Sequence, residues 1–167
     1  MNHRRVLLVI GASLVAACAS ARPSPGLRSP EPFPISQQVR QFAERVAAGV
    51  TERGPAAWRD YFADDKAFFM AAEGRLVFDS NDSAKRGISE LERVIAHMEL
   101  QWREPLRVQV LTESMAFVSA PYHETRVDRA GTTVQEEGYF TGLAALGPGG
   151  WRFLNAHWSV VPTTGAR

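Results

Sequence analysis

The stretch WRFLNAHWSV, residues 151–160, follows the turn-like run LGPGG at 146–150, and its reading decides the fold. Glycine and proline end whatever precedes them, and the ten residues that follow read as a strand. That strand carries two tryptophans with Arg152, Asn155, His157 and Ser159, a list that suits a buried site and a structural seam equally. Working upstream, LRVQVLT, MAFVSAPYHETRVDR and TTVQEEGYFTGLAAL also read as strands. Glu113-Ser114, Ala130-Gly131 and Gly147-Pro148-Gly149-Gly150 separate them as turns. Pro121, inside the first long strand, predicts an edge or a bulge, because proline cannot donate to a ladder.

Helices precede these strands. SQQVRQFAERVAAGVTERG spaces Val39, Phe42, Val46 and Val50 by three or four residues, with Ser36 as N-cap and Gly54 as stop. PAAWRDYFADD reads as a short helix opened by Pro55, with Trp58, Tyr61 and Phe62 on one face. KAFFMAA and RLVFDS form a hairpin around Glu73-Gly74. A third helix fits SAKRGISELERVIAHMELQW, capped by Ser83, with Ile88, Leu91, Ile95, Met98 and Trp102 along one stripe. Helices grouped on one side of antiparallel strands define an α+β domain over residues 36–162, with 163–167 as a tail.

The N-terminus reads as an export signal. Arg4 and Arg5 precede the apolar stretch from Val6 to Val15, which is too short to span a membrane as a mature helix. Val15-Ala16-Ala17-Cys18 resembles the lipobox of bacterial lipoproteins, in which the cysteine thiol is acylated and becomes the new N-terminus. Cys18 is the sole cysteine of the chain. The alternative is a plain signal peptide with a chance cysteine. On the lipobox reading residues 1–17 are removed, and the net charge passes from +1 to about −1. Ala19, being other than aspartate, is compatible in that family with transfer to the outer membrane. Residues 18–35 follow as the lipidated cysteine and a proline-rich tether, ASARPSPGLRSPEPFP, which cannot form a helix and supplies reach.

Composition narrows the rest. Apolar residues at 45% and charged residues at 22% describe an ordinary packed domain, and no like-charge run gives a nucleic-acid footprint. His97, His123 and His157 are scattered without ligand spacing, so no metal site is expected. No G-x-S-x-G elbow, P-loop or dinucleotide fingerprint is present, and no cofactor is expected.

The order of elements, together with GGWRFLNAHWS and the EGYFTG run at 137–142, resembles the nuclear transport factor 2-like superfamily and, within it, the SnoaL-like group. The resemblance covers roughly residues 36–162. It implies a cone-shaped, strongly curved antiparallel or mixed sheet wrapped around three helices with a pocket inside, and often a dimer through the outer sheet. Many members carry a second histidine where this chain has Asn155, which weakens any mechanism needing a histidine pair. The superfamily spans isomerases, dehydratases, transport factors and assembly modules, so the resemblance implies a pocket and not a reaction.

Strand alternation then sorts the side chains. One face takes Arg152, Leu154, Ala156, Trp158 and Val160, with Ala116, Val118, Ala120, Tyr122 and Glu124, and Glu136, Gly138, Phe140, Gly142 and Ala144. Its small residues suit the inside of a curved sheet. The other face takes Trp151, Phe153, Asn155, His157 and Ser159, with Phe117, His123 and Tyr139, and is expected to dimerise, with His157 in or beside the interface. The expected pocket is lined by Tyr61, Phe69, Met98, Trp102, Tyr122, Phe140 and Trp158, with Glu124, Glu136 and Arg152 as polar groups. Two functions fit. One is an envelope-anchored binding module for a small, largely apolar molecule. The other is an isomerase or dehydratase in which Glu124, desolvated by the pocket, is the general base and Tyr122 donates to an oxyanion.

Overall fold

The computed structural model describes residues 33–161. The signal peptide, Cys18 and nearly all of the tether lie outside the described residues, as does the tail. Helix α1, Ile35–Arg53, buries Val39, Phe42, Ala43, Val46 and Val50, the three-and-four spacing read from the sequence. Pro34, not Ser36, occupies the N-cap, without a side-chain cap. Gly54 ends the helix at φ 65°, a conformation open to glycine at little cost. A 3-10 turn, Gly54–Ala57, leads into the short α2, Trp58–Tyr61. Tyr61 lies across α1 at Gly49, where any β-carbon would meet its hydroxyl at 2.1 Å, and that hydroxyl donates to the Arg45 carbonyl at 2.9 Å.

The hairpin of β1, Phe69–Ala72, and β2, Arg75–Phe78, turns on Glu73 and Gly74, both at positive φ. Helix α3 spans Asn81–Val94 only. Ser80 caps it, accepting from the Ser83 amide while Ser83 Oγ accepts from the Ser80 amide, so Ser83 is the N3 partner in a capping box and not the N-cap. The stretch expected to continue this helix is instead strand β3, Ile95–Trp102. Met98 and Leu100 are buried there with Trp102 half-buried, a period of two that coexists with the helical spacing of Ile88, Leu91, Ile95, Met98 and Trp102. Tertiary bonds favour the strand: Thr51 Oγ1 on α1 accepts from the Leu100 amide at 3.1 Å, and Trp102 Nε1 donates to the Ala43 carbonyl at 2.6 Å.

Strands β4 (Arg107–Thr112), β5 (Met115–Asp128), β6 (Thr133–Gly147) and β7 (Gly150–Val160) follow the boundaries read from the sequence closely. The sheet is open and mixed, in the order β2-β1-β7-β6-β5-β3, with β4 also on β5 and β1 parallel to β7. Pro121 is at neither an edge nor a bulge. β5 pairs with β4 up to Ser119 and with β3 from Tyr122 onward, and Pro121 sits at the change of partner. Its carbonyl accepts from the Arg103 amide at 2.8 Å, so its missing N–H faces the same gap between two strands.

The larger correction concerns β7. Leu143 pairs with Asn155, but the next residue, Ala144, pairs with Phe153, which leaves Leu154 as an extra residue in a bulge. Alternation therefore reverses below it. Trp151 and Phe153, expected outside, are buried, and Phe153 packs 4.9 Å from Phe42 and 5.0 Å from Phe140, centroid to centroid. Arg152, expected inside, lies with its guanidinium against Gly149. Above the bulge the expected parity stands: Ala156 is buried, Trp158 faces in and His157 is exposed. Asn155 Oδ1 accepts from the Leu143 amide at 3.1 Å, and the Phe153 carbonyl accepts from the Ala63 amide at 2.8 Å. The asparagine thus satisfies a backbone donor at the bulge. Asn155→Ala is expected to cost about 1–2 kcal/mol by leaving that amide unpaired, read as a lower urea midpoint at unchanged slope. A change below about 0.3 kcal/mol would mean that water replaces the side chain at no cost.

Candidate ligand cavity

Between the upper inner face of the sheet, the β1–β2 hairpin and α3 lies a cavity of about 460 Å³. Its walls are apolar, built by Trp58, Phe62 and Trp158 together with Ile88, Leu91 and Phe78. Trp158 is the centre of the aromatic wall. Its ring lies 4.8 Å from Tyr122, 4.7 Å from Phe140, 5.6 Å from Trp58 and 5.8 Å from Trp102, centroid to centroid. Edge-on and tilted arrangements dominate, which fixes each ring by the quadrupole of its neighbours.

Met98, Tyr122 and Trp158, all expected in the pocket, line this cavity, as do Glu124 and Glu136. Five expected residues do not. Trp102 and Phe140 stand behind Trp158, the former tied to α1 and the latter fully buried. Tyr61 is held over Gly49 on α1, and Phe69 is 45% exposed at the start of β1. Arg152 is excluded by the bulge. The sequence reading missed Arg126, although it shares the alternation of Tyr122 and Glu124, and missed Glu73, for which a turn residue carries no local signal.

The polar end is built by register. Glu124 and Glu136 are directly opposite on β5 and β6, an arrangement of like charges that disfavours the sheet unless compensated. Arg126, two residues along from Glu124, compensates it: its Nη2 forms an ion pair with Glu136 Oε1, and its Nε is 3.2 Å from Glu124 Oε1. Glu124 is 9% exposed. Burial pushes its carboxyl up to about 7, Arg126 pulls it partly back, and Glu136 adds to the rise. Burial, and then the Glu124 charge, raise the Tyr122 phenol far above its ordinary range, so it remains a neutral donor. Gly138 makes room for that phenol, since a β-carbon there would meet the Tyr122 ring at 2.7 Å and the Ser159 carbonyl at 1.9 Å. Glu73 Oε1 accepts from the Val160 amide at 2.6 Å and closes the rim. Among the described residues no three His, Cys, Asp or Glu side chains are grouped to hold a metal ion.

The domain is an α+β cone with an apolar cavity that carries ionisable groups at one end. Its fold is the nuclear transport factor 2-like fold, as shown by solved structures of similar shape. A nuclear transport factor 2-like superfamily protein from Salmonella enterica serovar Typhimurium superposes with a TM-score of 0.64 at 19% identity, over 78% of this chain and 93% of that one. A ketosteroid isomerase-like protein from Erwinia carotovora atroseptica gives 0.60 at 14% identity, over 76% and 96%. A type 2 hexachlorocyclohexane dehydrochlorinase, LinA, gives 0.59 at 12% identity, over 78% and 90%. No family model matches the sequence, and no curated protein matches it.

Proposed function

We propose that this protein is an envelope-anchored lipoprotein whose SnoaL-like domain binds a small, largely apolar molecule in the Trp158 cavity and pairs with a second copy through its outer sheet face. The carrying observation is the cavity: about 460 Å³, apolar walls and a few convergent polar groups at one end, the usual make-up of a small-molecule site. The anchor rests on Val15-Ala16-Ala17-Cys18 and the proline-rich segment after it, with the outer membrane favoured by Ala19. The pairing rests on an outer face that carries Phe117 at 38% exposure beside half-buried Tyr139 and Leu143.

Native mass spectrometry on residues 19–167, made in the periplasm without lipid, tests the binding and pairing together. The expected species is a dimer that releases a small apolar molecule on denaturation. A ligand-free monomer would contradict both.

A second reading is favoured by one observation, the Glu124 carboxyl held near neutrality beside the Tyr122 phenol. A carboxyl that titrates near pH 7 in a dry cavity can abstract and return a proton next to a carbonyl. In that reading the protein is an isomerase or dehydratase, and Glu124→Gln retains the ligand but loses turnover.

A further inference from the structure

The charges at the polar end of the cavity do not balance, and the imbalance points to the ligand. The charged groups facing it are Glu124 and Arg126 from β5, Glu136 from β6 and Glu73 from the β1–β2 turn. The neutral Tyr122 phenol lies among them, and all three carboxylates oppose its ionisation. The elements packed opposite bring no charge: α3 presents Gly87, Ile88 and Leu91, and β3 presents Met98. Three carboxylates thus share one guanidinium, which Glu124 and Glu136 already occupy. The exposures are graded, with Glu124 buried, Glu136 half-buried and Glu73 exposed at the rim.

We propose that the cavity takes an amine: a molecule with a compact apolar body and one ammonium group, bound at the Glu124 carboxylate beside the rings of Tyr122 and Trp158, with Glu136 and Glu73 adding negative charge nearby. This rests on reading the cavity as a binding site and names the ligand class. An ammonium supplies the missing positive charge, donates to carboxylates, and is attracted by aromatic faces. An anionic ligand gains little from Arg126, whose charge is already paired with Glu124 and Glu136, and meets three carboxylates. A divalent cation lacks a convergent ligand set. A neutral ligand leaves the excess charge in place.

Binding is then linked to a proton. Glu124 is about half protonated at pH 7 in the empty site, and an ammonium favours its ionised form. The carboxyl proton passes to solvent as the amine binds. The ionised fraction of Glu124 rises from about a tenth at pH 6 to about nine-tenths at pH 8, so amine affinity is expected to rise about tenfold across that interval.

The test uses three probes that share one rigid apolar body, adamantan-1-amine, adamantan-1-ol and adamantane-1-carboxylate. They are titrated calorimetrically into residues 19–167 at pH 6, 7 and 8, in two buffers of different ionisation enthalpy. At pH 8 the amine is expected to bind at least about tenfold more tightly than the alcohol, with the carboxylate weakest. About half a proton is released per amine bound at pH 7. In Glu124→Gln, checked for folding by circular dichroism, the proton release and the pH dependence disappear. In Glu136→Gln the pH dependence persists while the preference for amine over alcohol shrinks. Equal binding of amine and alcohol, or tighter binding of the carboxylate, overturns the amine inference and leaves the cavity as a binding site. Failure of all three probes to bind overturns the inference and the binding reading together.

Discussion

Phe153→Ala is expected to lower the unfolding free energy by about 3–5 kcal/mol, enough to consume much of the stability of a domain this size. The side chain is fully buried between Phe42 on α1 and Phe140 on β6, and truncation leaves a void ringed by aromatic carbon that cannot collapse. The control is Phe117→Ala on the outer face, where 38% exposure holds the cost to the isolated chain, measured at a dilution that keeps it monomeric, under about 1 kcal/mol. Uninterrupted alternation along β7 puts both rings on one surface and predicts similar costs. Urea unfolding of the two variants therefore tests the bulge at Leu154 directly. Similar losses would return Phe153 to the outside.

The second large effect is on pH. Glu124 has a carboxyl near 7 in the folded chain against an ordinary 4.5. Between those values the folded state keeps a proton that the unfolded state releases, so stability falls as pH rises. The contribution is fully present below pH 4.5 and is lost as pH passes through about 7. Its size is about 3 kcal/mol, at about 1.4 kcal/mol per pH unit. The carboxylates held low, among them the exposed Asp64 and Asp79 and the half-buried Asp128, act below this window. The wild-type chain is thus expected to be less stable at pH 8 than at pH 5, and Glu124→Gln to be nearly flat across that range and more stable than wild type at pH 8. Denaturant curves at the two pH values measure both. A wild-type chain equally stable at each would place Glu124 in contact with water.

The same two residues show how far the sequence could be read. Tyr122 and Glu124 on one face of β5, and Trp158 inward on β7, followed from alternation, which depends on the local backbone and survives wherever the strand is regular. Phe153 could not be assigned that way. Its face depends on Ala144 and Asn155 across the ladder, and a bulge is a property of two strands. Residues 95–102 failed for a related reason. Ile95, Met98 and Trp102 satisfy a helical stripe while Met98, Leu100 and Trp102 satisfy a strand, and the choice fell to pairing with β5 and to bonds from Thr51 and Ala43. Arg126 belonged to a legible pattern. Its partnership with Glu136 did not, because it needs the β5–β6 register.

By itself the sequence determined the α+β class, the turns at Glu73-Gly74 and Gly147–Gly150, helix α1 and the bounds of the last four strands. Those depend on propensity, capping and turn chemistry within a few residues. Only the tertiary structure decided which aromatics line the cavity, that Phe153 faces inward, and that Glu124, Glu136, Glu73 and Arg126 meet at one end of it. Such meetings join residues up to 63 positions apart, from Glu73 to Glu136, and are set by register and sheet curvature. The raised Glu124 carboxyl follows from that convergence, since the desolvation behind it exists only once α3 and the hairpin have closed over the sheet.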